Sequence, residues 1–141
     1  MKKISILLIV IAISVIVVAC SSNSGNTTPT GMTVKTVTVD KLTATLSNST
    51  GQLKQGDQEV MLAFTDSTGK PVDVGAVSLN FHMPSMGTMS AMNEAVTFTT
   101  TKTPGSYQGK VNIAMAGEWQ AQLAYEGPAG TGKTTFTVTA R

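Results

Sequence analysis

From residue 33 onward, hydrophobic and polar residues alternate along the chain with a period of two. The alternating segments are rich in valine, threonine and aromatic residues, which is typical of half-buried antiparallel strands. They lie at 34–39, 42–46, 60–64, 77–81, 96–98, 107–113, 119–123 and 136–138. No segment beyond the N-terminus shows a sustained helical period, so the pattern predicts an all-β domain.

Turn-forming residues separate these segments, most clearly at 66–71, 103–106 and 126–130. Many short strands in about 110 residues predict an immunoglobulin-like antiparallel β-sandwich of about seven strands. The chain has one cysteine, so the domain cannot contain the inter-sheet disulfide of antibody domains. We expect packing around Trp119 to replace it.

The N-terminus has the pattern of an export signal. Met1, Lys2 and Lys3 precede an apolar run that ends at Ala19, and Cys20 follows directly. This order resembles a bacterial lipoprotein signal, and the run is short for a membrane span of about 20 residues. We therefore expect a signal peptide at 1–19, a lipidated Cys20 with a flexible tether over 20–32, and one domain at 33–141, with an uncleaved membrane helix as the alternative. The protein would then be anchored on the extracytoplasmic side of a membrane in the bacterial cell envelope.

Charge excludes one class of partner. The formal net charge is +2, with ten basic and eight acidic residues. Lys2 and Lys3 leave with the predicted signal, so the remaining charges cancel. No basic patch is left to bind nucleic acid or anionic lipid.

Residues 127–134 match the phosphate-binding pattern G-x-x-x-x-G-K-T. That pattern requires a helix after the loop, whose N-terminus binds the phosphates. A strand pattern follows here, so we predict a hairpin loop and no nucleotide. His82 is the only histidine and no G-x-S-x-G sequence accompanies it, so we also predict that the protein is not an enzyme.

Candidate metal ligands are concentrated in residues 82–92, whose sequence is His-Met-Pro-Ser-Met-Gly-Thr-Met-Ser-Ala-Met. This segment contains four of the eight methionines. Thioether sulfur is a soft ligand that favours Cu(I). If the preceding strand continues, His82 points away from the core and Met83 towards its edge. The following methionines recur every third residue, in a short helical turn or a folded loop. The predicted copper ligands are His82, Met83, Met86 and Met89, with Met92 and Met115 in reserve.

The methionine pattern also fits two other interpretations. Methionine is an adaptable core filler, and the residues could plug one end of the sandwich. Methionine-rich surfaces also repack easily against partners. The function predicted from the residues is copper buffering, delivery or tolerance. The alternative is a module without metal that assists a membrane complex such as an oxidase or a transporter.

Several short motifs resemble the YtkA-like domain family, whose relatives include FixH-like proteins. They are Asp66-x-x-Gly69-Lys70-Pro71-Val72, Gly75-Ala76-Val77-x-Leu79, Met83-Pro84-x-Met86-Gly87, Gly105-x-Tyr107 and Met115-Ala116-Gly117-Glu118-Trp119-Gln120, spread over about residues 60–140.

The resemblance implies an exported or membrane-tethered β-sandwich associated with copper handling, heavy-metal efflux or cytochrome oxidase biogenesis. It marks Met83 and Met86 as loop methionines, and assigns Met115 and Trp119 to a second motif. The family often has a histidine after the second loop methionine. This chain has Thr88 and Met89 there, and its histidine comes before the motif.

Overall fold

The computed structural model describes residues 31–141. The predicted signal peptide and Cys20, with most of the predicted tether, lie outside the described residues. Within 31–141, no helix is long and apolar enough to cross a membrane. The described chain forms nine strands: β1 Met32–Val39, β2 Leu42–Asn48, β3 Gly56–Thr65, β4 Ala76–Met83, β5 Met92–Ala95, β6 Thr97–Thr100, β7 Ser106–Ile113, β8 Gly117–Gly127 and β9 Gly130–Ala140.

The strands form two antiparallel sheets, in the orders β1-β2-β3-β7-β6 and β5-β4-β8-β9. In immunoglobulin nomenclature, β2-β3-β7-β6 corresponds to strands A, B, E and D, and β4-β8-β9 to C, F and G. β5 extends the second sheet beside β4, as strand C′ does in variable domains. The predicted immunoglobulin-like antiparallel sandwich is therefore confirmed.

Strand β5 is the element that the sequence pattern did not predict. The methionine spacing predicts a short helical turn or a folded loop at Met92, but Met92 begins β5 and pairs with Met83 of β4. β5 has four residues, too few for a clear alternation. After it, the backbone N–H of Val96 donates to the carbonyl of Leu79 at 2.9 Å, and the chain then crosses to the first sheet.

The segment that matches the phosphate-binding pattern is a hairpin loop, as predicted. Gly127 pairs with Gly130 across Pro128 and Ala129, and β9 follows directly. No helix follows the loop at which a phosphate could be bound in the usual way.

The core lies between the two sheets and contains Trp119, which has no exposed surface. Phe64 and Phe81 are also fully buried. The core also includes residues from the connections between the strands. Leu53 and Val74 are both fully buried, and Leu53 forms a single parallel bridge with Ala140 that fixes the β2–β3 connection to the last strand.

Candidate functional site

Five methionines gather at one end of the sandwich. His82, near the end of β4, pairs with Gln120, near the start of β8. The β4–β5 connection at 84–91 and the β7–β8 connection at 114–116 therefore emerge at the same end. We call the five methionines in these connections or directly beside them the methionine rim: Met83, Met86, Met89, Met92 and Met115.

The β4–β5 connection contains a small hairpin that brings two sulfur-bearing side chains together. The backbone N–H of Met86 donates to the Met89 carbonyl at 3.1 Å, and the N–H of Met89 donates to the Met86 carbonyl at 2.9 Å. Gly87 has a φ of 57°, and glycine is favoured at this first central position of a type II′ turn. Met86 and Met89 are cross-strand partners, so their side chains leave the same face with Cβ atoms roughly 4.5–5.5 Å apart.

The hairpin pair is open to solvent. Met86 is 57% exposed and Met89 is 41% exposed. Large apolar side chains are usually covered in a folded domain. The pair is therefore accessible to an ion or to another molecule without rearrangement of the core.

Met83 and Met92 form a second cross-strand pair, one layer closer to the core. Met83 is only 2% exposed, whereas Met92 is half-buried against the core. A Cβ atom on Gly117 would lie 3.0 Å from the Met83 Cε. Glycine at this position thus leaves room for the end of the Met83 side chain, which packs as a core residue.

Met115 lies in the β7–β8 connection and is half-buried against the core. Its carbonyl accepts a hydrogen bond from the Trp119 Nε1–H at 3.1 Å. The Gln55 Nε2–H donates to the neighbouring Ala114 carbonyl at 3.0 Å. These two bonds hold the connection in place beside the rim.

His82 lies on the opposite face of its sheet. Its neighbours Phe81 and Met83 are buried, whereas the His82 side chain is half-buried on the outer face. The His82 Nδ1 is 2.8 Å from the Oδ1 of Asn93 on β5. Strand parity predicted this orientation, and the structure confirms it.

The structure thus brings the five predicted methionines to one end and separates His82 from Met83 and Met92 by the thickness of the sheet. Sequence reasoning missed the Met86–Met89 pairing and the contact of Asn93 with His82. The glycine after Met86 was the available signal for a tight hairpin. In the described part of the chain, no three His, Cys, Asp or Glu side chains are arranged to hold a metal ion. Thioethers are a different class of donor.

Shifted pKa values are found at the other end of the sandwich. The Thr68 hydroxyl and the backbone N–H groups of Lys70 and Thr68 donate to Asp66 and lower the pKa of its carboxyl. Burial raises the pKa of Tyr107 and of Tyr125, and the nearby Asp40 carboxylate raises that of Tyr125 further. These groups lie at the end remote from the methionine rim.

The fold and the rim together define the class of protein: an antiparallel β-sandwich that carries clustered methionines at one end. The chain belongs to the YtkA-like family, whose family model matches residues 36–124. The match starts earlier than the motif resemblance, which spans about residues 60–140, and it also ends earlier. It extends from within β1 to within β8 and covers the whole methionine rim. No curated protein and no solved structure matches the chain significantly.

Proposed function

We propose that this protein is an exported lipoprotein that binds Cu(I) at the methionine rim and buffers it or delivers it to an acceptor. The main support for this proposal is the Met86–Met89 hairpin, in which two solvent-exposed thioethers lie side by side. In this proposal Cys20 carries the lipid anchor. The protein would then act in the cell envelope, on the extracytoplasmic side of a membrane.

The chemistry of the donors selects the ion. Thioether sulfur is soft and uncharged, and it favours Cu(I) over hard cations such as Mg²⁺ and Ca²⁺. Thioethers carry no proton at neutral pH, so binding releases none and should persist in mild acid. Two neighbouring sulfurs provide the first two ligands.

Further ligands are available at the same end. Met92 is half-buried and follows Met89 by three residues, and Met115 is half-buried on the neighbouring connection. Met83 lies beneath them and would have to leave its packed position to reach an ion. We therefore rank Met86 and Met89 first, Met92 and Met115 next, and Met83 last. His82 could join this set only from the other face of the sheet.

The solvent exposure of Met86 and Met89 suits the transfer of a bound Cu(I) to an acceptor better than its long-term storage. Thioether ligands at a solvent-exposed hairpin can be replaced one at a time by those of an acceptor, because no part of the core covers them. This supports delivery to a copper-binding protein or a membrane complex as the role of the bound ion.

A second function is favoured by the same exposure. Two adjacent apolar and flexible side chains at a hairpin tip form a surface that adapts to a protein partner. In that case the rim docks on a membrane protein without any metal. Replacing methionine by leucine separates the two functions, because leucine keeps the apolar contact and removes the sulfur.

The test is an anaerobic Cu(I) titration against a competing chelator. The mature chain from residue 20 is used with Cys20→Ser, since a free thiol would itself bind Cu(I). Met86→Leu combined with Met89→Leu should weaken Cu(I) binding at least about tenfold, or about 1.4 kcal/mol.

The matched control is Met32→Leu. Met32 is 62% exposed and faces Asn48, not another methionine. It begins β1, which packs against β9 at the opposite lateral edge from β5. Met32→Leu should leave Cu(I) affinity unchanged. If the parent chain binds no Cu(I), or if the double leucine variant binds as tightly as the parent, the copper function is wrong.

A further inference from the structure

We infer that His82 belongs to a second metal site, on the outer face of the β5-β4-β8-β9 sheet, which binds a borderline divalent cation such as Cu(II) through nitrogen and oxygen donors. Its proposed ligands are the His82 Nε2 and the Glu118 carboxylate, with the Gln120 side-chain carbonyl beside them. The site lies across the sheet from Met83 and Met92 and does not depend on the function proposed above.

The hydrogen bond to Asn93 fixes which ring nitrogen is free. An amide oxygen only accepts hydrogen bonds, so the His82 Nδ1 carries the proton at its 2.8 Å contact with the Asn93 Oδ1. The Asn80 Nδ2 donates to the same oxygen at 3.4 Å, so this oxygen contacts both side chains. The neutral His82 ring then has an unprotonated Nε2.

This arrangement is the usual support of a metal-binding histidine. Such a histidine donates its second ring N–H to an acceptor, which fixes the tautomer and orients the ring. Asn93 is therefore a positioning residue in this proposal. It does not touch the ion, and it acts by keeping the Nε2 lone pair available.

The neighbouring strand supplies oxygen donors on the same face. Gln120 lies directly opposite His82 in the β4–β8 register. Glu118 is two residues before Gln120 and points the same way, because both are exposed while Trp119 between them is buried. Diagonal neighbours on one face lie roughly 7–8 Å apart, within reach of long side chains.

The donor types determine the class of cation. One imidazole with carboxylate and amide oxygens is a nitrogen and oxygen set, which suits Cu(II) or Ni(II) and disfavours Cu(I). The exposed Glu118 also gives the site a negative charge. The two faces of β4 would thus serve different ions, with sulfur donors towards the rim and nitrogen and oxygen donors outside.

The experiment is an aerobic Cu(II) titration of the Cys20→Ser mature chain with a blocked N-terminal amine, followed by electron paramagnetic resonance. The parent should show one site with nitrogen hyperfine coupling. His82→Ala and Glu118→Gln should each weaken Cu(II) binding about tenfold or more. Glu126→Gln is the matched control, because Glu126 is exposed on the same strand at its far end and should have no effect.

A positioning role for Asn93 has its own measurement. Asn93→Leu should weaken Cu(II) binding and also change the ¹⁵N shifts of the His82 ring in the metal-free protein, since the tautomer is no longer fixed. The Met86→Leu and Met89→Leu double variant should retain Cu(II) binding, so a failure of the thioether site is distinguishable from a failure of this one. Absence of Cu(II) binding, or unchanged binding in His82→Ala, overturns the proposal. Unchanged binding in Glu118→Gln overturns the carboxylate assignment.

Discussion

Met83 lies only three residues before Met86, the first member of the Met86–Met89 pair, yet the structure places the two in different environments. Met83 is the last residue of β4 and is 2% exposed, whereas Met86 and Met89 are 57% and 41% exposed on a hairpin. Pro84 lies between them and cannot donate to a strand ladder. The end of the strand thus separates a methionine that packs from a pair that is available to bind.

The largest expected effect comes from truncating the buried member. Met83→Ala removes most of a buried side chain and should lower the free energy of unfolding by about 2–5 kcal/mol. Met89→Ala, at an exposed position, should change it by no more than about 0.5 kcal/mol. Urea unfolding of both variants measures the difference. Equal stabilities would show that Met83 is not a core residue.

A smaller loss of stability is expected from a change that disturbs the β7–β8 connection, which contains Met115. Trp119→Phe removes the hydrogen bond to the Met115 carbonyl and leaves an unfilled volume in the core. We expect a loss of about 1–3 kcal/mol in unfolding free energy, of the size of an unsatisfied buried group. If Cu(I) affinity falls together with stability, Met115 takes part in binding. Unchanged affinity would limit the site to the hairpin and its near neighbours.

The backbone of the Met86–Met89 hairpin can be strained by a substitution that leaves both methionines in place. Gly87 has a positive φ and no atom within 4 Å of an added Cβ, so Gly87→Ala costs backbone strain alone, about 1–2 kcal/mol. The strain should loosen the Met86–Met89 pairing and weaken Cu(I) binding severalfold. Gly130→Ala is the control, because Gly130 also has a positive φ and open space but lies on the β8–β9 hairpin. Equal effects of the two variants on Cu(I) affinity would contradict a role for the turn.

The smallest expected effect is the loss of stability in acid that results from protonation of Asp66, at the end of the sandwich remote from the methionine rim. The pKa of Asp66 is lowered in the folded state by hydrogen bonds from Thr68 and Lys70. The carboxylate therefore stabilises the fold above its unfolded pKa of about 3.9, and this contribution disappears as pH falls through the lower folded value. Urea titrations from pH 6 to pH 3 should show a slightly steeper loss for the parent than for Asp66→Asn. Identical slopes would contradict the assignment.

Strand periodicity predicted most of this fold, because antiparallel strands with one buried face alternate visibly. It placed His82 outward and Met83 inward from the parity of Phe81. It could not predict that Leu53 and Val74 are buried, because these residues lie in connections between strands, where hydrophobic and polar residues do not alternate. Nor could it find β5, since four residues carry too little pattern. The Met86–Met89 pairing depends on the geometry of the turn, which the spacing of three residues does not determine. A short helical turn is compatible with the same spacing.

Cu(I) binding at the Met86–Met89 hairpin can be observed with a methyl spectrum of the protein labelled with ¹³C at the methionine Cε atoms, recorded during anaerobic addition of Cu(I). We expect the Met86 and Met89 methyl signals to shift first and to saturate at one ion per chain, while those of Met32 and Met61 stay in place. If the Met86 and Met89 signals do not move, or if every exposed methionine shifts alike, the hairpin is not the Cu(I) site.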